Sequence, residues 1–66
     1  MSADELRDCI ATLGWTLRGL GIQLGVGESR MRRWASGLYP VPPELAEWLE
    51  RLAAAHRALP PPKLRP

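Results

Sequence analysis

The sequence predicts a compact all-α domain of four short helices, and three observations carry that reading. Apolar residues recur at helical spacing, as in Leu6, Cys9, Ile10 and Leu13, and nowhere in the two-residue alternation of a half-buried strand. Glycines stand where the helical patterns lapse, at Gly14, Gly25 and Gly37, where a helix needs a left-handed residue to stop. The 66 residues hold no internal repeat and suffice for one domain with a single small core. A chain this short buries only about 60% of its unfolded surface, so pairing with a second copy is the expected way to widen a thin stability margin.

Each element has its own signals. Ser2-Ala-Asp-Glu5 fits a capping box, in which the Ser2 hydroxyl accepts from the Glu5 amide and the Glu5 carboxylate reaches back to Ser2. Residues 3–13 therefore read as an amphipathic helix ended by Gly14. Thr16 is placed to cap a second helix, with Leu17, Leu20, Gly21 and Leu24 before the stop at Gly25. Gly19 and Gly21 each cost that helix about 1 kcal/mol relative to alanine. Gly21 makes better sense if another backbone comes close, letting the third helix cross tightly. That third helix runs from Glu28 to Ser36 behind Gly27, with Met31, Trp34 and Ala35 on one face and charges on the other. Pro40 and Pro42 hold the next connector extended. Pro43 suits the first turn of a fourth helix over residues 43–59, whose Leu45, Trp48, Leu49, Leu52, His56 and Leu59 form one stripe. Residues 60–66 end it and are expected to form a flexible, disordered Pro-rich tail.

The net charge of +2 says little until it is divided along the chain. Residues 1–13 carry −2, with Asp4, Glu5 and Asp8 against Arg7. Residues 14–41 carry +3, with Arg18, Arg30, Arg32 and Arg33 against Glu28. Residues 42–59 carry −1, with Glu44, Glu47 and Glu50 against Arg51 and Arg57, while Lys63 and Arg65 add +2 in the tail. The positive field belongs to the middle of the chain and its extreme end. No run of about 18 apolar residues suggests a membrane span, and no charged-then-apolar leader suggests export. With Cys9 as its single cysteine, the chain is expected in a reducing cytoplasm.

The middle segment concentrates the chemistry. On a wheel of about 100° per residue, Ser29, Arg33 and Ser36 point opposite to Met31, Trp34 and Ala35, with Arg30 and Arg32 on the flanks. Charge on one side of a helix usually means no more than a solvated face. Here, however, small hydroxyls lie between the arginines, so the helix could approach a surface closely while guanidinium groups reach sideways. A helix seated in a DNA major groove needs that arrangement, with central side chains at base edges and lateral ones at phosphates. Arg33 could form two bonds to a guanine, and Glu28 could accept from a cytosine amine or simply favour its helix N-terminus.

The preceding helix supplies the spacing that raises this reading above the bland one. Leu20, then the small Gly21, then Leu24 and the turn glycine Gly25 are followed by apolar Val26, Met31 and Trp34. Residues 17–35 resemble, in these positions, the helix-turn-helix of the lambda-repressor-like, Cro-like family of DNA-binding proteins, and the likeness extends over about residues 13–50. The resemblance implies a domain over residues 1–59 with the helix-turn-helix at about 17–36. It also implies a sequence-specific regulator of transcription that binds double-stranded DNA, such as a repressor or autorepressor of a phage or mobile-element operon. Base-reading roles then fall to Glu28, Ser29 and Arg33, with Arg32 and Arg30 as secondary readers or phosphate contacts. Thr16, Arg18, Ser36 and Tyr39 would meet the DNA backbone. Two positions depart from the pattern: Leu17 stands where a polar phosphate-binding residue is common, and Gly21 where alanine is common.

Chain length and the apolar surface of the fourth helix suggest a homodimer on a palindromic operator, with Leu45, Trp48, Leu49 and Leu52 at the interface. Trp48 reads equally well as core. The alternative function is a protein-interaction module, an antitoxin or adaptor, that keeps the fold and uses the fourth helix as its partner surface. Trp34 and Trp15 are expected in the core, and Cys9 as a buried, inert thiol. His56 lacks a second histidine or a cysteine at ligand spacing, so no metal is expected. No nucleophile–base pair stands out, and the glycines of residues 19–27 do not follow a strand, so neither catalysis, a cofactor nor a small-molecule ligand is expected.

Overall fold

The computed structural model describes residues 1–64. Among them the elements are α1 (Ala3–Leu13), α2 (Leu17–Leu24), α3 (Glu28–Ser36) and α4 (Pro43–Ala58), with no strand. No helix among the described residues is long and apolar enough to cross a membrane. The helix starts follow the chemistry of their caps. Ser2 Oγ accepts from the Glu5 amide at 3.1 Å and the Ser2 amide donates to Glu5 Oε1 at 3.1 Å, closing the capping box on α1. Thr16 Oγ1 accepts from the Gly19 amide at 2.9 Å and opens α2. Gly27 and Pro42 precede α3 and α4 without a side-chain cap, and Pro43 enters α4 as a residue whose missing N–H costs nothing there.

Three of the helices end on glycine. At Gly25 the backbone turns into the left-handed region (φ 68°), and the amide of Val26 donates back to the Gly21 carbonyl at 2.9 Å. A side chain with a β-carbon would be strained at that φ, and the sharp turn into α3 depends on avoiding that strain. Gly37 does the same for α3 (φ 83°) and Gly14 for α1 (φ 71°). The fourth helix ends differently. Leu59 precedes Pro60, and a residue before proline avoids helical backbone; Leu59 sits at φ −136°, ψ 72°. It therefore leaves the apolar stripe expected of residues 43–59 and lies 83% exposed. Residues 60–64 continue exposed and without regular structure, and residues 65–66 of the expected tail lie outside the described residues.

The core is built around α1, which packs against α2, α3 and α4. Leu6, Cys9, Ile10 and Leu13 point inward from it to meet Leu20, Met31, Trp34 and Ala35 on one side and Leu45, Ala46, Leu49 and Ala53 on the other. Val41 in the connector completes the cluster. No polar or charged side chain is buried among the described residues, so burial carries no desolvation cost that would need a buried partner. Burial pushes the Cys9 thiol pKa up, with Arg57 opposing more weakly, so the group stays a protonated apolar filler. Trp15 is half-buried, its ring 6.2 Å from that of Trp48 and tilted by 33°, and this pair joins the loop before α2 to α4.

One crossing sets how α3 leaves α2. Gly21 is buried, and a β-carbon placed on it would stand 2.9 Å from Met31 Cγ and 3.0 Å from the Val26 carbonyl oxygen. Replacement of Gly21 by alanine should therefore lower stability by about 1 kcal/mol. An overpacking cost of about 1–3 kcal/mol outweighs about 1 kcal/mol of gained helix propensity. Gly21→Val should approach the top of that cost. Urea-denaturation midpoints measure both, and a stabilised alanine variant would mean that Met31 and the turn yield freely.

The capping box has a pH signature. The Ser2 amide, and secondarily its hydroxyl, hold the Glu5 carboxyl below the usual carboxylate range. A depressed folded pKa contributes stability above the unfolded value, and that stability is lost as pH falls through the folded value. Glu5→Gln keeps an acceptor but no titrating charge, so it should flatten the acid limb of the stability–pH curve. An acid limb identical in both proteins would contradict the capping assignment.

Candidate nucleic-acid interface

The exposed side of the molecule around α2 and α3 gathers most of the residues singled out from the sequence. Met31 has no accessible surface and Trp34 is 8% exposed, so the inward face of α3 is anchored in the core. Fully burying a side chain of this kind stabilises by about 1.5–3 kcal/mol, enough to fix which way the helix is rotated. With that rotation set, Glu28, Ser29, Arg32, Arg33 and Ser36 form an exposed stripe, and Arg30 stands exposed on its flank. Thr16 and Arg18 lie at the start of α2, and Arg18 lines the same shallow cleft as Ile22, Val26 and Glu28. The structure thus brings the first turn of α2 beside the first turn of α3. Leu17 is half-buried against the core, so its side chain contributes packing to this surface and no polar group.

The three arginines of α3 have three different neighbours. Arg30 lies over the Trp34 ring, 5.8 Å from its centroid. Arg32 reaches Glu28 one turn earlier at 4.0 Å, with both side chains mostly exposed. A pair at that distance and exposure contributes only about 0.3–0.5 kcal/mol, and a polyanion could readily displace it. Arg33 lies over the Tyr39 ring at 5.6 Å. Among the described residues neither Arg18, Arg30 nor Arg33 has a carboxylate within salt-bridge distance. The positive charge of this face is therefore left largely uncompensated.

The C-terminal end of α3 is wound tightly around one carbonyl. The Arg33 oxygen receives the Ser36 hydroxyl at 3.1 Å, the Leu38 amide at 3.0 Å and the Tyr39 amide at 3.3 Å, together with the Gly37 amide. Ser36 is thereby committed as a donor to its own helix and keeps only acceptor capacity. Next to it, Arg7 of α1 donates one guanidinium nitrogen to the Ala35 carbonyl and another to Asp4. A cation at a helix C-terminus meets the negative end of the macrodipole, so Arg7 is a strut between α1 and α3. Sequence reading assigned Arg7 nothing beyond its charge. The Asp4–Arg7 spacing was visible, but a contact between residues 28 apart leaves no local signal. Ile22, outside the apolar pattern that marks α2 in the sequence, is 73% exposed and forms a large apolar group at the edge of the Arg18–Glu28 cleft.

The expected interface on α4 is narrower than its stripe. Leu45 and Leu49 belong to this chain's own core, because α4 lays that side along α1, and Leu49 has no accessible surface. Trp48, 41% exposed, and the half-buried Leu52 remain available to a partner. Shallow grooves flank Trp48 on both sides, one reaching Leu24 and Trp34, the other Arg51 and Ala55. His56 is half-buried, and no group of three His, Cys, Asp or Glu that could hold a metal ion occurs among the described residues. Comparison of the chain with protein-family models, curated proteins and solved structures found no match.

Proposed function

We propose that this chain is a sequence-specific double-stranded DNA-binding protein that lays α3 in the major groove, acting as a small dimeric repressor or autorepressor. The observation that carries the reading is the rotation of α3. With Met31 and Trp34 anchored inside, Ser29, Arg30, Arg32 and Arg33 stand together on the outside, free of strong internal ion pairs. Glu28, Ser29, Arg32 and Arg33 occupy the positions from which side chains reach base edges, and Arg33 suits a two-pronged contact with guanine. Thr16, Arg18 and Arg30 surround that stripe and suit phosphates, whereas Ser36 gives its hydroxyl proton to the Arg33 carbonyl and has none left for a phosphate oxygen. At the start of α2, amides that lack intrahelical acceptors add a partial positive charge beside Arg18. Occupancy is the simplest mechanism: bound protein blocks polymerase.

A dimer would set two copies of α3 about 34 Å apart on one face of a palindrome. The exposed part of Trp48 with Leu52 is the surface we assign to the contact. The same exposed indole supports a second reading, in which α4 docks another protein and the chain serves as an antitoxin or adaptor. Binding of random duplex at low salt separates the two, since an adaptor has no reason to bind it.

A dimer that neutralises about six phosphates should lose affinity with a log–log salt slope near −5. Arg33→Ala should relax preference at one base position per half-site, at a cost of about 1–3 kcal/mol, whereas Arg18→Ala should weaken all sequences alike. Equal losses for both variants on selected and random duplexes would overturn the role assignment. Light scattering after size exclusion should give a dimer that Trp48→Glu converts to monomer; a wild-type chain that stays monomeric with and without DNA would remove the dimer.

A further inference from the structure

The family resemblance implies a DNA-backbone contact for Tyr39, yet in the structure its ring and its amide both meet Arg33. Its ring lies beneath the Arg33 guanidinium at 5.6 Å, and its amide donates to the Arg33 carbonyl at 3.3 Å. Arg33 and Tyr39 are six positions apart, and they meet only because Gly37 turns the chain back at φ 83°. Backbone and side chain of the loop thus converge on one residue of α3. We infer that Tyr39 is a positioning residue for base recognition, holding the Arg33 side chain in the orientation from which it reads DNA. This inference rests on the DNA-binding reading above.

The physical case turns on what kind of partner a reading arginine can tolerate. A carboxylate would hold the guanidinium firmly but occupy the paired N–H donors that a guanine needs, as Glu28 begins to do for Arg32. An aromatic face attracts the cation through its quadrupole and takes no strong hydrogen bond, so the donors stay available. A free arginine side chain samples many rotamers, and restricting it before binding removes part of the entropy cost of the complex. Tyr39 is 50% exposed, so its ring can support Arg33 while one edge remains open to solvent. Arg30 over Trp34 differs, because that indole is itself anchored in the core and Arg30 lies on the flank of the helix.

The test compares Tyr39→Phe, which keeps the ring, with Tyr39→Leu, which removes it. In the free protein, the Arg33 δ-protons should show an upfield ring-current shift in wild type and in Y39F, lost in Y39L. On DNA selected from a random pool, Y39L should lose about two- to fivefold of its preference over random duplex, the span expected of an exposed cation–π contact. Its salt slope should stay unchanged, Y39F should keep the preference, and adding Y39L to Arg33→Ala should cost no further preference. Full preference in Y39L, or no ring-current difference, would overturn the inference and leave the DNA reading standing. A loss in Y39F that is equal on all sequences would reassign Tyr39 to phosphate binding through its hydroxyl. Failure of the wild-type chain to bind any duplex, with the ring-current shift still present, would take down the DNA reading and the inference built on it.

Discussion

The close crossing of α2 and α3 at Gly21 is the constraint on which the rest of the molecule depends. Met31 enters the space that a β-carbon on Gly21 would fill, and the Gly21 carbonyl accepts the Val26 amide in the turn. One residue thus admits the neighbouring helix and anchors the loop that delivers it. Interiors packed to crystal density leave no room for a different angle here. With Met31 held there and Trp34 buried in the core, helical geometry dictates which side chains of α3 are left facing outward.

That outward face gains its character from how the arginines are kept from neutralising themselves. The acids of the chain lie mostly on α1 and α4, and among the α3 arginines only Arg32 reaches a carboxylate, at a distance and exposure that give it little strength. Arg30 and Arg33 rest instead on aromatic rings, which steady a cation without consuming its donors. Arg7 serves the opposite purpose. It spends its donors on Asp4 and the Ala35 carbonyl, bracing the end of α3 against α1. Arginines of the same intrinsic chemistry therefore divide into struts and free cations according to what surrounds them.

The smallness of the fold shapes the remaining surface. A core of leucines, alanines and a few larger groups, with no buried polar side chain among the described residues, leaves α1 as the one helix that touches all the others. The stripe on α4 is partly used up by this demand, with Leu45 and Leu49 serving the chain's own interior. What remains outside is the Trp48 edge, already leaning on Trp15, together with part of Leu52 and the exposed Leu59. An apolar pattern in sequence counts the residues that want burial but does not say whether the burying surface comes from the same chain.

Local chemistry marked where the four helices lie, because most of their ends fall on residues whose preference acts within one turn: the Ser2–Glu5 box, the Thr16 cap, Pro43, and the glycines after α1, α2 and α3. Helical periodicity likewise determined that Met31, Trp34 and Ala35 face inward, and the tolerance of a glycine at position 21 announced a tight crossing. Only the tertiary structure decided the partners of the exposed side chains. The Arg7–Ala35 strut, the Arg33–Tyr39 stack across a glycine turn, and the assignment of Leu45 and Leu49 to the core all join residues through space. Such contacts depend on how whole helices are set against each other, a property of packing that no window of a few residues encodes.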